Sequence, residues 1–338
     1  VSVRRSEPEF YFKKALSWSA TTMGGSSFRI TNNKTSSTAA PSLYFKNDDD
    51  LYVSLALLNS CISQVYMDLL NPTVGLKLAN VEAVPAIKFE KMAVLLRSLC
   101  ENNIALSKED WDSYEISWDF EQHPLVKRKE LHSLEKCYLE WKTECENRFL
   151  KMKDNEEHIN AVILKEYGLE NEVACEVSEK SISVHRIFDT KEDIPVSMDG
   201  SYYVRTKRDE IVSLISYSVG CMFGRYSLDK NGIVNAGDSL NANEYVSFSV
   251  DKDNIICDDE YFKDDIVGRF VEFIKIVYGV DSLDDNLKFI ANALGGKGSP
   301  REIIRNYFVN DFYKEHCVTY SGTVGKRPIY WLFDAGKN

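Results

Sequence analysis

The stretch SWSATTMGGSSFRI, residues 17–30, mixes many hydroxyl residues with a few aromatic and aliphatic ones, and TSSTAAPSLYF at residues 35–45 has the same character. Short apolar groups separated by Gly, Asn and Ser predict short strands joined by turns. The strands are expected at Phe10–Phe12, around Trp18, at Phe28–Ile30 and at Leu43–Phe45, with turns at Gly24-Gly25 and Asn32-Asn33. Turns rich in Ser and Thr are typical of a surface that contacts another molecule.

The next segment, residues 51–70, has the apolar spacing of one amphipathic helix that would support this sheet. Its apolar residues recur mostly at steps of three and four, namely Leu51, Leu55, Leu58, Ile62, Val65, Tyr66 and Leu69. Asp49 or Asp50 is expected to cap the start of the helix, and Pro72 to end it. The alternation of Val74, Leu76 and Leu78 then predicts a strand with one buried face.

Residues 129–167 predict an unusually long helix, preceded by a helix over residues 88–115 and an irregular aromatic loop over Ser113–Leu125. Apolar residues line one face of the long helix, namely Leu134, Tyr138, Trp141, Cys145, Phe149, Met152, Ile159 and Ile163. Gly168 provides the C-terminal stop. At the rise of an α-helix this segment would be roughly 55 Å long. That length favours a spacer or a coiled-coil arm.

The rest of the chain has mainly helical patterns. Helices are expected at about 207–226, 263–278, 282–294 and 300–316, and strands near Val184–Ile187 and at Ile329–Phe333. Ser299 is the expected cap of the last helix and Pro300 its first residue. The fold class predicted is mixed α+β. It comprises a small β-rich domain with a buttressing helix at residues 1–90, a helical spacer at 91–175 and a mainly helical C-terminal domain at 176–338.

The composition is that of a globular protein, with 44% hydrophobic and 28% charged residues among 338. Because no run of about 18 apolar residues occurs, no membrane span is expected. The eight cysteines show no C-x-x-C spacing, which predicts reduced core residues of a cytoplasmic protein. The five histidines are scattered, so no metal site is predicted. The chain begins at Val1, and we expect it to be part of a longer protein.

The net charge of −11 is unevenly distributed along the chain. Residues 1–46 carry seven basic and two acidic side chains, a net charge of +5. Residues 251–285 carry eleven acidic and four basic side chains, a net charge of −7. The first segment is a candidate for contact with an anion and the second is not, although chance clustering of charge on solvated faces gives the same pattern.

Several longer motifs carry a resemblance that covers nearly the whole chain. These are ISWDFEQHPL at 116–125, LKEYGL at 164–169, SVGCMFGRYSLD at 218–229 and KRPIYWLFD at 326–334, together with the order of elements before Ile87. In them the chain resembles the target-recognition region of adenine-specific DNA methyltransferases of the PglX family. That family belongs to the BREX phage-defence systems and is related to single-chain type IIG restriction-modification enzymes.

The resemblance implies S-adenosylmethionine as the cofactor of the parent enzyme, but none bound by this chain. The family's catalytic Asn-Pro-Pro-Tyr/Phe tetrapeptide is absent, since Asn71-Pro72-Thr73-Val74 lacks the second Pro and the aromatic residue. We therefore interpret Asn71-Pro72-Thr73 as a helix stop and turn. Gly295–Gly298 follows a predicted helix rather than a strand, which favours a linker over a cofactor loop. No catalytic residue is predicted, and the chain alone is expected to be inactive.

The candidate site is a DNA-binding edge between residues 13 and 37. Lysine and arginine can contact phosphates, arginine can bind guanine with two hydrogen bonds, and hydroxyl and amide groups can contact base edges. The residues of the candidate edge are Lys13, Lys14, Ser19, Thr21, Thr22, Ser26, Ser27, Arg29, Asn32, Asn33, Lys34, Ser36 and Ser37. Each of them could instead only shape a turn. Two weaker basic sets are Arg301, Arg305, Lys326 and Arg327, and Tyr202, Arg205, Lys207 and Arg208.

These patterns and the resemblance favour target recognition in double-stranded DNA, with the missing N-terminal methyltransferase domain of the same protein as the second partner. Other phage-defence proteins are further candidate partners, and a membrane is not. Two alternatives stay open. One is the same role in a bifunctional type IIG restriction-modification enzyme, and the other is an acidic protein-interaction scaffold built on the long helix.

Overall fold

The computed structural model describes residues 8–22, 25–71, 73–87, 89, 91–235, 241–251 and 255–321. Its fold is mixed α+β with mainly helical character, as predicted. The chain forms two compact units. The first contains residues up to Leu106 and Leu150–Ile182, and the second contains Ser107–Phe149 and the residues from Ser183 onward. The borders at residues 90 and 175 stay a prediction.

The first unit begins with a three-stranded antiparallel sheet of order β2-β1-β3. The strands are β1 (Ala15–Trp18), β2 (Phe28–Thr31) and β3 (Ser42–Leu43). The strands predicted around Trp18 and at Phe28 are confirmed, whereas the third ends at Leu43. The strand predicted at Phe10–Phe12 is wrong, because Pro8–Phe10 forms a 3-10 turn. Phe12 follows it with a positive φ of 61°, which an extended strand does not have.

The predicted supporting helix is two helices, α1 (Asp48–Asn59) and α2 (Cys61–Leu70), which meet at an angle of 69°. Ser60 causes the break, because it takes an extended conformation and its hydroxyl accepts a hydrogen bond from the amide of Ser63. The N-cap of α1 is Asn47, which accepts from the amide of Asp50, and not Asp49 or Asp50. The three aspartates lie in the first turn, where their charge favours the helix.

The alternation of Val74, Leu76 and Leu78 does not produce a strand. Gly75 forms an isolated bridge with Thr21, and Leu78 begins the short helix α3 (Leu78–Glu82). The next helix is α4 (Ala93–Trp111). Within residues 113–125 only irregular turns occur before α5 (Pro124–Lys127), as predicted for this aromatic loop. Pro72 lies outside the described residues.

The long helix is confirmed as the single helix α6 (Leu134–Tyr167), which begins five residues later than predicted. All eight of its predicted apolar positions are buried. Burial along its whole length is unlike an exposed coiled-coil arm. The helix ends before Gly168, whose φ of +70° favours glycine.

The second unit contains two parallel strands, β4 (Arg186–Phe188) and β5 (Val204–Thr206). Its helices are α7 (Lys207–Met222), α8 (Ile266–Tyr278), α9 (Leu283–Leu294), α10 (Pro300–Tyr307), a π-helical segment (Phe308–Phe312) and α11 (Tyr313–Ser321). Further 3-10 turns of the chain lie at Lys129–Leu131, Glu179–Ser181, Val196–Met198 and Ala242–Glu244. Ser299 caps α10 and Pro300 begins it, as predicted. The strand predicted at 329–333 lies outside the described residues.

Three chemical features of the described residues bear on function. All eight cysteines are free thiols. Across residues 8–321, apart from the short gaps named above, no group of three His, Cys, Asp or Glu side chains is arranged to hold a metal ion. In the same part of the chain no single helix is both long and apolar enough to cross a membrane. Only the bent pair α1 and α2, counted together, has the length and the apolar composition of a membrane span.

Candidate nucleic-acid interface

The sheet of the first unit has one face in the protein core and one face that is partly open, although Ala15 on the second face is buried. Leu16 and Trp18 of β1 and Phe28 of β2 are buried, and the indole of Trp18 donates to the carbonyl oxygen of Leu76 at 3.1 Å. Because side chains alternate along a strand, burial of these residues turns their neighbours outward. The two hydrogen bonds between the main chain of Phe28 and the side chain of Asn59 join β2 to α1. The open face is therefore supported from behind by a packed helix.

A row of hydroxyl groups crosses this open face. Ser17 pairs with Arg29 of β2 and with Ser42 of β3 in the strand register. The hydroxyl of Ser17 lies 2.7 Å from that of Ser42 and 3.1 Å from that of Thr31. We name Ser17, Arg29, Thr31 and Ser42 the outer sheet face. Its hydroxyls can act both as donors and as acceptors, as contacts to nucleic acid require.

Arg29 contributes the positive charge of the outer sheet face. Its side chain is exposed, and its guanidinium donates to the carbonyl oxygen of the neighbouring Phe28 at 3.0 Å. Among the described residues it forms no ion pair within 4 Å. Burial raises the pKa of Glu156 on α6 to about 7, and the charge of Arg29 opposes the rise. Because Arg29 uses one of its five N–H donors within the described residues, most of them remain available to a ligand.

The predicted site residues are divided between the two ends of the sheet. Because β1 and β2 are antiparallel and Ala15 pairs with Thr31, the residues before β1 and those after β2 lie at the same end. This basic end holds Lys13, Lys14, Asn32, Asn33 and Lys34. Lys13 and Lys34 are exposed, whereas Lys14 binds Asp48 at 2.8 Å, and its hydrogen bonds to Asp48 and Tyr52 outweigh burial and raise its pKa. Lys14 is therefore less available than its sequence position indicates.

The opposite end collects the hydroxyl residues of the prediction. Several of them are held by their main chains: the amide of Thr22 donates to Val74, that of Ser26 to the side chain of Gln64, and Thr21 bridges to Gly75. This hydroxyl end holds Ser19, Thr21, Thr22, Ser26, Ser27, Ser36 and Ser37. The hydroxyl of Ser37 accepts from the amide of Ala40 and shapes a turn, as the simpler interpretation of these residues expects. The structure thus fixes the backbone of this end and leaves several of its side chains exposed.

Sequence reasoning missed three residues of the outer sheet face: Ser17, Thr31 and Ser42. Their signal is the period of two along β1 and β2, in which polar residues occur between buried ones. Of the four residues of the outer sheet face, the prediction therefore contained only Arg29.

The comparisons with known proteins bear on the whole chain. No family model matches it. The adenine-specific methyltransferase PglX of Lacticaseibacillus casei (strain Zhang) is 37% identical over 98% of the chain. The adenine-specific methyltransferase BrxX of Escherichia coli O9:H4 (strain HS) is 31% identical over 97%. This chain belongs to the PglX family. It spans 26% of the length of the first relative and 28% of the second, so it corresponds to about a quarter of each.

The residues of this PglX-family chain do not fit the methyl-donor and adenine sites that such a methyltransferase needs. The amide of Asn71 donates to the carbonyl oxygen of Thr73 at 3.0 Å and its oxygen accepts from the Thr73 hydroxyl at 2.9 Å. The side chain that would hold an extruded adenine is therefore used within its own turn. Gly295 ends α9 with a φ of +78° and is not part of a strand-to-helix loop.

In the two other basic sets of this PglX-family chain, four members pair with carboxylates, whereas Arg301 is exposed. Arg205 binds Glu210, Lys207 lies 3.4 Å from Asp189, and Arg208 binds Glu315 at 2.8 Å. Arg305 joins Asp258 and Asp265, which also neutralises part of the acidic segment 251–285. Lys326 and Arg327 lie outside the described residues. The outer sheet face with its basic end is thus the better candidate for an anionic ligand.

Proposed function

We propose that this chain recognises the target sequence in double-stranded DNA for an adenine-specific methyltransferase of the BREX type. The observation that carries the proposal is the outer sheet face, where Arg29, without an ion pair among the described residues, stands beside a hydrogen-bonded row of hydroxyls. Binding of S-adenosylmethionine, extrusion of the adenine and methyl transfer are assigned to the rest of the protein, in its N-terminal methyltransferase domain. That domain is the proposed covalent partner of this chain.

The charge distribution supports a DNA ligand at this face. Duplex DNA repels an acidic protein, so a chain of net charge −11 needs a local positive surface to bind it. Exposed Lys13 and Lys34 at the basic end are placed to contact phosphates, which position the duplex. Arg29 lies inside the face rather than at its margin, and its free donors suit the two acceptors of a guanine edge. The two lysines thus contribute affinity for DNA of any sequence, and Arg29 contributes specificity for one base.

Substitution of these residues in the complete enzyme tests the proposal. DNA binding is measured by fluorescence anisotropy on the target duplex and on a scrambled duplex, over a range of salt concentrations. Lys34→Ala should weaken binding to both duplexes about equally and reduce the salt slope by roughly one. Arg29→Ala should cost roughly 1–3 kcal/mol on the target and relax the choice at one base pair.

Lys165→Ala is the matched control, because Lys165 is an exposed lysine on α6 of the same unit but not on the sheet. It should leave affinity nearly unchanged. If a folded Arg29→Ala, Lys34→Ala double variant keeps wild-type affinity and specificity, the DNA binds to another surface and the proposed site is wrong. Absence of any salt-sensitive binding to DNA in the wild type would favour the scaffold alternative.

The assignment of catalysis to the missing part has its own test. The purified 338-residue chain is incubated with duplex DNA and labelled S-adenosylmethionine, with the complete enzyme as the positive control. No label should enter the DNA with the chain alone. Incorporation above a control without protein would contradict this assignment and leave the DNA-binding proposal standing.

A further inference from the structure

Five large aliphatic side chains of the first unit are exposed near one another and take no part in the proposed DNA contact. Val65 and Leu69 are one turn apart on α2, Leu70 ends that helix, Val74 lies in the bend that follows, and Leu78 begins α3. Their exposed fractions lie between 41% and 75%. We name these five residues the apolar patch. Single exposed aliphatic residues are common on protein surfaces, whereas a contiguous group marks a surface that binds another molecule.

The main chain beneath the apolar patch is fixed by contacts within the first unit. The side-chain amide of Asn80 on α3 donates to the carbonyl oxygen of Leu70 at 3.3 Å, which joins α3 to the end of α2. Between the exposed residues, Leu76 is buried, and its amide donates to the carbonyl oxygen of Ala20 at 2.8 Å. Because these contacts determine the course of the chain, the five side chains form a preformed surface, and a partner does not have to order the segment when it binds.

The surroundings of the apolar patch carry little charge. Residues 65–87 contain only Asp68, Lys77 and Glu82 as charged residues, and Asp68 accepts a hydrogen bond from Gln64 at 2.7 Å. Contacts of proteins to duplex DNA go to phosphates and base edges, which require cations and polar groups. The central part of a protein–protein interface, in contrast, is apolar and poor in charged residues. The composition of the apolar patch therefore fits a protein partner and not DNA.

The apolar patch adjoins the hydroxyl end of the sheet. Thr21 forms a bridge with Gly75, and the amide of Thr22 donates to the carbonyl oxygen of Val74 at 3.0 Å. Val74 of the apolar patch is thus joined through its main chain to the end of the sheet that holds most of the exposed hydroxyl residues. A protein bound to the apolar patch would therefore lie beside a duplex bound to the outer sheet face.

The catalytic part of the same protein is the partner that fits this position. The chain corresponds to about a quarter of each relative, so most of such a protein lies outside it. Under the proposed function, on which this step rests, the catalytic domain and the recognition surface contact one duplex at the same time. The catalytic domain then has to lie next to the outer sheet face. We propose that the apolar patch is the docking surface of the N-terminal methyltransferase domain of the same protein.

Hydroxyl-radical footprinting with mass spectrometry tests the proposal without any substitution. The oxidation rates of the apolar patch are compared between the 338-residue chain and the complete enzyme, both without DNA. Since the radical reaches only side chains in contact with water, these rates should fall at least about threefold in the complete enzyme. Leu150, an exposed leucine on α6 of the same unit, is the internal control and should be oxidised equally in both proteins. Equal rates for the apolar patch in the two proteins would overturn the proposal.

Other occupants of the apolar patch give different results in the same measurement. Protection that is lost when the complete enzyme is diluted would identify a second copy of the protein as the partner. Protection that appears only after duplex DNA is added would mean that DNA covers the apolar patch. Either result would contradict docking of the methyltransferase domain.

Leu69→Arg in the complete enzyme tests the consequence for catalysis, with Leu150→Arg as the matched control. Leu69 is 75% exposed, so the substitution should not disturb folding. Oxidation of Val74 should rise to the rate measured in the 338-residue chain, and methyl transfer should slow by about tenfold or more, because the catalytic domain loses its position. The preference for the target duplex over a scrambled one should remain, since Arg29 is unchanged. Leu150→Arg should keep the wild-type rate, whereas wild-type methyl transfer and protection in Leu69→Arg would show that the domain docks elsewhere.

Failure of the proposed function gives a separate result. Footprinting without DNA does not depend on Arg29 or Lys34. If the apolar patch is protected but the Arg29→Ala, Lys34→Ala double variant keeps wild-type DNA binding, the assigned DNA surface is wrong and the docking surface is supported. If the double variant loses DNA binding but the apolar patch is not protected, the docking surface is wrong and the DNA surface is supported.

Discussion

Arginine has different surroundings on the outer sheet face and in the second unit. Seven described arginines of the second unit are held by carboxylates, namely Arg128, Arg148, Arg186, Arg205, Arg208, Arg269 and Arg305. Arg29 on the sheet is exposed, and among the described residues it donates only to the carbonyl oxygen of its neighbour in the chain. A guanidinium whose donors are satisfied inside the protein stabilises the fold, and one whose donors are free can bind a ligand.

The comparison shows why a count of basic residues is a poor guide to a DNA-binding surface. Arg148 illustrates the structural case: it is buried, binds Glu109 and Glu144, and stacks 5.2 Å from the ring of Trp141. If Arg148 bound a DNA phosphate instead, Glu109 and Glu144 would lose this partner. Arg29 requires no such rearrangement. The two regions differ in how many of their positive charges are free to bind a ligand, and not in how many they contain.

The largest expected effect is that of Glu210→Ala. Glu210 is fully buried, binds Arg205 and accepts from the indole of Trp141 at 2.9 Å. Removal of the carboxylate leaves the partly buried guanidinium of Arg205 and the buried indole of Trp141 without their partner, so the free energy of unfolding should fall by about 3–5 kcal/mol in urea titrations. Lys288→Ala, which breaks an exposed ion pair with Asp285, should change it by less than about 0.5 kcal/mol. A loss below about 1 kcal/mol in Glu210→Ala would show that the buried pairs are not structural.

A smaller effect is expected from Gly220→Ala in α7. An added Cβ would lie 2.6 Å from the ring of Tyr226, so the packed ring must move. The higher helix propensity of alanine offsets part of this cost, and a net loss of about 1–2 kcal/mol is expected from thermal and urea unfolding. Gly75 in the first unit has open space at its Cβ position, so Gly75→Ala should be nearly neutral. Equal results for the two glycines would contradict the close packing of α7.

The stability of the first unit should depend on pH through Glu156 on α6. Its pKa is about 7 in the folded protein and close to 4.5 in the unfolded chain. Because the folded state then binds the extra proton, stability relative to Glu156→Gln should decrease as the pH rises from about 4.5 to about 7. The variant should be more stable than the wild type by about 1–2 kcal/mol at pH 8 and equal to it at pH 4.

Glu157 supplies the control with the opposite sign. Lys153 and the amide of Val177 bind its carboxylate and lower its pKa. Glu157→Gln should therefore be slightly less stable than the wild type at pH 7, and the difference should disappear as the pH falls below the normal range of a glutamate. If both variants respond to pH in the same direction, the pH effect does not arise from these two side chains.

The smallest effect on stability is expected from Arg29→Ala. Because Arg29 is exposed and has no ion pair in the part of the chain that the structure describes, the free energy of unfolding should change by less than about 0.5 kcal/mol, although DNA binding by the complete enzyme should weaken. Parallel urea titrations of Arg29→Ala and Glu210→Ala would measure the contrast directly. Destabilisation by Arg29→Ala of more than about 1 kcal/mol would mean that Arg29 is structural, and the comparison between the two regions would fail.

The sequence by itself determined the features that depend on near neighbours in the chain. The period of the apolar residues predicted α6 as one helix, and Gly168 and Ser299-Pro300 marked helix ends, because capping and propensity act within one or two turns. Phe28–Ile30 was identified as a strand by the same local reasoning. The motifs quoted above also predicted the family before the comparisons identified it.

Only the tertiary structure decided which charges are free and where the helix after the sheet breaks. The ion pair of Lys14 joins residues 34 positions apart, and that of Arg305 with Asp265 joins residues 40 positions apart. The bend at Ser60 arises because its hydroxyl caps α2 while its neighbour Cys61 donates its amide to Asn160, 99 residues away. The exposure of Arg29 follows in the same way from strand register and from the packing of Phe28 against α1. Such contacts depend on folding of the whole unit, so local sequence patterns do not contain them.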